Sequence, residues 1–207
     1  HLPHLARQVM TTRLSKAIQG MAFFMCTLGS VASHAAPDAV AGKAKAQMCA
    51  ACHGETGVSS LPGFPHLAAQ PQLSIFYQLL QFRDQRRKGG GMEAIAASLS
   101  EQDMRDIAAH YAALPPPPAL AGGDAAQIAR GQQIAQQQYC SSCHGAQLQG
   151  QKHVPRLAGQ SGEYFVTQLR NLRSGARADM DGTMASAARS LTDEEIEAMA
   201  AYTRSLP

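Results

Sequence analysis

The sequence predicts an all-α protein built as two tandem domains of a few helices each. One unit is written twice along the chain, apolar residues recur at helical spacing, and no stretch alternates convincingly as a strand. A first Cys-x-x-Cys is followed by "FPHLAAQ" (64–70), and a second by "VPRLAGQ" (154–160). "QLLQFRDQRR" (78–87) then matches "QLRNLRSGAR" (168–177). The closing segments, 92–115 and 184–207, align without a gap at an offset of 92 residues (184 − 92), and both end on Leu-Pro.

Each element has a local reason. Pro37-Asp38 and Asp124 start the segments that lead into the Cys pairs, and an Asp carboxylate accepts from the free N–H groups of a first helical turn. Ser100-x-x-Asp103 and Thr192-x-x-Glu195 predict capping boxes. Behind them Met104, Ile107, Ala108 and Tyr111, then Ile196, Met199, Ala200 and Thr203, fall at helical spacing. "LPPPPALAGGD" (114–124) is stiffened by prolines and ended by glycines, so it reads as a linker that belongs to neither core. The expected layout is a leader over 1–35, domains over 36–114 and 124–207, and a linker over 115–123. Domains of roughly 80 residues are small for a core of side chains alone, and a metal or cofactor often supplements packing.

The leader shows the three-part pattern of a cleaved export signal. From Met10 come basic Arg13 and Lys16, an apolar stretch through Val31, and small residues ending at Ala35-Ala36. The apolar run from Ala17 to Val31 is short for a membrane span, which needs roughly 20 residues. The nine residues ahead of Met10 have no structural logic. Removing 1–35 takes away Arg7, Arg13 and Lys16 and no acid, so the nominal net charge of +3 falls to zero. No basic cluster is interleaved with aromatics, and nucleic acid binding has no support. The one dense basic run, 83–88, reads as a solvated helix end, with a local docking patch as the alternative.

Export also removes Cys26 and leaves four cysteines, all inside "CAACH" (49–53) and "CSSCH" (140–144), 91 residues apart (140 − 49). A four-cysteine zinc site would separate its halves by roughly 15–20 residues. A thioredoxin-like pair would want a βαβ context and no trailing histidine. Covalent haem c attachment fits: Cys49 and Cys52, and Cys140 and Cys143, sit one helical turn apart and can add to the two vinyl groups of one haem. His53 and His144 are then the iron ligands.

The sixth ligand decides function, because an open iron does chemistry whereas a methionine-filled iron carries electrons at raised potential. Met92 and Met184 recur at the same repeat position, on a loop ahead of the last helix. Met180 has no counterpart at the aligned offset, and Met48, Met104 and Met199 fit gap-filling roles in the core. His66 aligns with Arg156 and His110 with Tyr202, and His153 lies in a loop of different length. His66 and His153 read as surface polar residues and His110 as structural. Pro65 and Pro155 are placed to offer a carbonyl to the ligating histidine's other ring nitrogen. The repeated arginines, Arg83 with Arg173 and Arg87 with Arg177, are candidates to pair haem propionates, with solvated helix charges as the alternative.

Tandem haem-binding units with "PxLAxQ" after the motif and "Q-L-x-x-x-R" on the next helix resemble the dihaem cytochrome c4 family over essentially the whole of 37–207. The resemblance implies tandem cytochrome c-like domains with two covalently bound haem c groups, both His/Met-ligated, packed about a pseudo-twofold axis with propionate edges close. It implies a periplasmic electron carrier, soluble or loosely membrane-associated. Its partners would be redox proteins: a donor such as a quinol-oxidising complex and a terminal oxidase as acceptor. Three glycines before Met92, in "RRKGGGMEAI", predict a flexible loop there. Two other functions compete: a haem enzyme of dihaem peroxidase or thiosulfate-oxidising type, which needs an open iron position, and a dedicated cytochrome subunit of a dehydrogenase complex.

Overall fold

A computed structural model describes residues 35–120 and 123–207. The expected export signal, apart from Ala35, lies outside the described residues. Within them the chain folds into ten helices, and the only β pairing is an isolated bridge between Gln151 and Val154. The first half holds α1 (Ala39–Lys45), α2 (Gln47–His53), α3 (Gln72–Arg83), α4 (Met92–Ala97) and α5 (Glu101–Ala112). The second half repeats the order with α6 (Ala125–Gln137), α7 (Cys140–His144), α8 (Gly162–Ser174), α9 (Thr183–Ala188) and α10 (Asp193–Ser205).

The predicted caps form. Asp38 accepts from the Val40 N–H at 2.8 Å, and Asp124 from that of Ala126 at 2.9 Å. Both capping boxes close in both directions, Ser100 with Asp103 and Thr192 with Glu195. Caps of this kind are worth about 1 kcal/mol each. The helical stripes behind them are buried, with Met104, Ile107, Tyr111, Ile196 and Thr203 all below 3% exposure.

Two apolar clusters result, one per half. The first joins Phe76, Leu79 and Phe82 of α3 to Met104, Ile107 and Tyr111 of α5. The second joins Phe165, Leu169 and Leu172 of α8 to Ile196 and Met199 of α10, with Ile134 of α6. In each half the first and last helices touch backbone to backbone at a glycine. A Cβ on Gly42 would lie 1.9 Å from the Asp106 carbonyl oxygen, and one on Gly131 would lie 2.0 Å from that of Ala198. No other residue fits there.

The halves differ at that crossing. Asp106, 3% exposed, accepts from the Asp38 N–H at 2.9 Å, the Gln102 amide at 2.8 Å and Lys45 Nζ at 2.8 Å, while Lys45 also pairs with Asp103. Hydrogen bonds from Lys45 and Ser100 hold Asp103 down to about 2. For Asp106 burial pushes the carboxyl up, but Lys45 and the two other donors outweigh it and bring it below its ordinary value. Groups with depressed folded pKa values stabilise above their unfolded pKa and lose that contribution as pH falls through the folded one. The clamp between α1 and α5 is therefore expected to weaken from about pH 4 down to about pH 2. Thermal unfolding of the first half followed against pH should show this loss, and Lys45→Met should make it smaller. An unchanged acid limb in Lys45→Met would refute the clamp.

Two sequence expectations are corrected by packing. Met48 is 51% exposed and not a core residue, because Ala46, Cys49 and His53 take the inward side of this stretch. The linker is laid onto the second half: Pro117 is buried beside Gly159, and the Leu120 N–H donates to Arg204 O at 2.9 Å. Each glycine before Met92 also has a geometric reason. Gly90 and Gly91 have φ of 59° and 106°, and a Cβ on Gly89 would strike the Phe82 ring at 2.4 Å.

Candidate functional site

Each Cys-x-x-Cys-His pentapeptide is helical and ends at a glycine with positive φ, Gly54 at 79° and Gly145 at 86°. At Gly54 a Cβ would meet the Val58 carbonyl oxygen at 2.2 Å, so the sharp exit requires glycine. Cys49 and Cys140 are half-buried against their clusters, Cys52 is half-buried and Cys143 exposed, and no two of the four are joined in a disulfide. The turn carries both histidines inward, to 5% exposure for His53 and 4% for His144.

The imidazoles are held by one nitrogen. His53 Nδ1 lies 3.0 Å from Pro65 O, and His144 Nδ1 lies 2.8 Å from Pro155 O. Burial pushes both rings below the ordinary histidine pKa, only partly opposed by the proline carbonyl, so both are neutral at pH 7. A neutral ring that donates from Nδ1 leaves its Nε2 lone pair available. His144 Nε2 is buried with no hydrogen-bond partner. An unpartnered buried nitrogen costs stability unless something binds it, and a haem iron fits that donor with two thiols one turn away.

Met92 and Met184 both pack, partly buried, against the cluster of their own half. The loop expected to carry them is in fact the start of a short helix: Met92 opens α4 and Met184 is second in α9. Met180, the rival in the second half, is 62% exposed.

The repeated arginines separate into two kinds. Arg83 pairs with Asp84 and Glu101, and Arg173 with Asp193 and the Leu191 carbonyl, each on its own half. Arg87 and Arg177 lie where the halves meet. Arg87 donates to Gln78 Oε1 at 2.5 Å, Tyr164 OH at 2.7 Å and Gln168 Oε1 at 3.1 Å. Arg177 donates to the same two glutamines at 3.0 and 3.2 Å. Burial, then the neighbouring Arg87, lowers Arg177 to about 10. Burial pushes the Tyr164 hydroxyl up, but the two guanidinium groups outweigh it and bring it below its ordinary value. The Nε of each arginine is buried without a partner, and none of the hydrogen-bond partners of the pair is a carboxylate. Two clustered cations of this kind suit an anion.

His153 is exposed, with its ring 6.4 Å from that of Tyr77 across the halves. His110 is half-buried with its ring tilted 5.2 Å from that of Tyr111. His66 is half-buried and held, not a free surface residue. Its Nδ1 accepts from the Ser59 N–H at 3.0 Å, and its backbone is gripped by Gln160 of the other half. Gln70 and Gln160 were missed as contact residues by sequence reasoning, although both close the same repeated motif. Gln70 binds the backbone of Arg156, and Gln160 that of His66.

The cytochrome c family matches residues 128–207, and the family described as cytochrome c oxidase, cbb3-type, subunit III matches residues 36–110. The chain is similar to a cytochrome c4 of Pseudomonas aeruginosa, 36% identical over 194 residues, which span 88% of this chain and 96% of that one. It is also similar to a thiosulfate dehydrogenase electron acceptor of Stutzerimonas stutzeri, 36% identical over 76% of this chain and 78% of that one. Among solved structures it matches reduced recombinant cytochrome c4 from Pseudomonas stutzeri. There the TM-score is 0.77 with 31% identity, covering 83% of this chain and all of that one.

Proposed function

Because the chain belongs to the dihaem cytochrome c4 family of electron carriers, we propose that its own residues divide between two matched haem sites, one in each half. Cys49 and Cys52 in the first half, and Cys140 and Cys143 in the second, would hold haem c through thioethers. His53 with Met92, and His144 with Met184, would be the axial ligands. The observation that carries this is the pair of buried imidazoles, each tied at Nδ1 by a proline carbonyl and each sharing its half with a packed methionine. A haem held by these residues would supply one-electron chemistry, exchanging Fe(II) and Fe(III).

The chain's part is to orient, exclude water and set potential. Pro65 and Pro155 fix the ring planes, and methionine as the sixth donor favours Fe(II). Arg87 and Arg177, whose Nε atoms are buried without a partner, would receive the propionates between the halves, in preference to Arg83 and Arg173, which pair with acids of their own halves. The boundaries 36–114 and 124–207 describe the two sites, with 115–123 as connector.

We place the carrier in the periplasm, exported by the segment within 1–35, with a quinol-oxidising complex or a dehydrogenase as donor and a terminal oxidase as acceptor. Similarity of the first half to a subunit of cbb3-type oxidase supports an oxidase partner, and similarity to a thiosulfate dehydrogenase electron acceptor supports a sulfur-compound dehydrogenase as one donor. That relative accepts electrons from an enzyme, and this chain likewise carries electrons in preference to the peroxidase or thiosulfate-oxidising alternatives. The test is the optical spectrum of reduced, periplasmically matured holoprotein before and after carbon monoxide. An unchanged spectrum is expected. A shift of half the haem absorbance would mean one sixth position is open and would sink the His/Met assignment for that half.

A further inference from the structure

The carbonyl of Pro65 and the N–H of His66 belong to one peptide group, and that group is engaged at both ends. Its oxygen accepts from His53 Nδ1 at 3.0 Å, and its N–H donates to Gln160 Oε1, in the other half, at 2.8 Å. Gln160 Nε2 closes the ring by donating to His66 O at 3.0 Å. The reverse relation holds as well. The oxygen of the Pro155–Arg156 peptide accepts from His144 Nδ1 at 2.8 Å, and its N–H donates to Gln70 Oε1 at 3.0 Å, with Gln70 Nε2 on Arg156 O at 2.9 Å. Both glutamines are buried, Gln70 at 7% and Gln160 at 5% exposure.

We infer that Gln70 and Gln160 are crossed positioning residues: each half, when docked, sets the donor strength of the other half's iron-ligating histidine. A peptide whose N–H is hydrogen-bonded carries more negative charge on its oxygen, because hydrogen bonds in a chain polarise one another. A stronger acceptor at Nδ1–H raises the basicity of the ligating ring, and a more basic ring favours Fe(III). Gln160 therefore holds the potential of the first-half haem down, and Gln70 that of the second. The two relays are unequal. Gln160 Oε1 also accepts from the Ser161 N–H at 2.8 Å, which draws part of its acceptor strength away from His66. This inference rests on His53 and His144 being the iron ligands.

The test uses the full holoprotein and two variants, Gln160→Met and Gln70→Met, which keep side-chain length and remove both hydrogen bonds. The readouts are the hyperfine-shifted proton resonance of each axial histidine's Nδ1–H and the potential of each haem. Gln160→Met should move the His53 resonance and raise the first-half potential while leaving His144 in place. Gln70→Met should do the reverse. Shifts in the variant's own half, equal shifts in both, or no shift would overturn the crossed relay. If Gln160→Met parts the halves, visible as a larger radius of gyration by small-angle X-ray scattering, Gln160→Glu decides, since it keeps the oxygen acceptor. Return of the His53 resonance to its wild-type position or beyond supports the relay, and failure to return refutes it. Absence of hyperfine-shifted histidine resonances in the wild type would refute the ligand assignment instead.

Discussion

Gly131→Ala is expected to lower the stability of the second half by about 3 kcal/mol or more, the upper end of what overpacking costs. The added carbon would stand 2.0 Å from the Ala198 carbonyl oxygen and 2.8 Å from Tyr202 Cβ. Neither obstacle is the tip of a flexible side chain, so α6 and α10 must separate. That separation would loosen Ile134, Ile196 and Met199 at once, because all three belong to the cluster the two helices share with α8. For a domain of this size the loss corresponds to a melting point lower by roughly 10 °C or more. Gly42→Ala should have the same effect on the first half, through the Asp106 carbonyl at 1.9 Å. Calorimetry on both holoprotein variants is the check, and a melting point within about 2 °C of wild type would show that the helices accommodate the carbon.

Met184→Ala is expected to make half of the haem in the reduced protein reactive with carbon monoxide and to lower the potential of that half. Loss of the thioether opens the sixth position and removes the ligand that favours Fe(II). Met180→Ala should leave both properties unchanged, since that side chain is 62% exposed and Met184 is the one packed against the second cluster. Reactivity appearing in Met180→Ala would reverse the assignment. The parallel variant Met92→Ala should open the other half of the haem and leave Met184 ligated.

Much of the candidate site was legible because its chemistry is local. The thiols and histidine of one pentapeptide lie within a turn of helix, so residue type and spacing alone nominate them. The proline carbonyls are nearly as close, 12 residues from His53 and 11 from His144. The four arginines show where such reasoning stops. Arg83 and Arg87 are four apart and would share a face if the helix continued, but α3 ends at Arg83 and Gln85 turns at φ 59°. That turn sends Arg87 to the other half while Arg83 stays on its own. In the second half α8 stops ahead of Gly175 at φ 80°, and Arg177 follows the same course.

By itself the sequence determined the all-α class, the caps at Asp38, Ser100, Asp124 and Thr192, the duplication, and which thiols and histidines to nominate. Those depend on propensity, periodicity and short-range hydrogen bonds, which residues a few positions apart express. Only the tertiary structure decided which glycines let helices cross, which arginines face the other half, and that Gln70 and Gln160 reach across to each other's proline loop. Their partners stand 64 to 99 residues away along the chain. A contact at that separation exists only once two independently formed surfaces have docked, and a single residue type carries no record of what will stand opposite it.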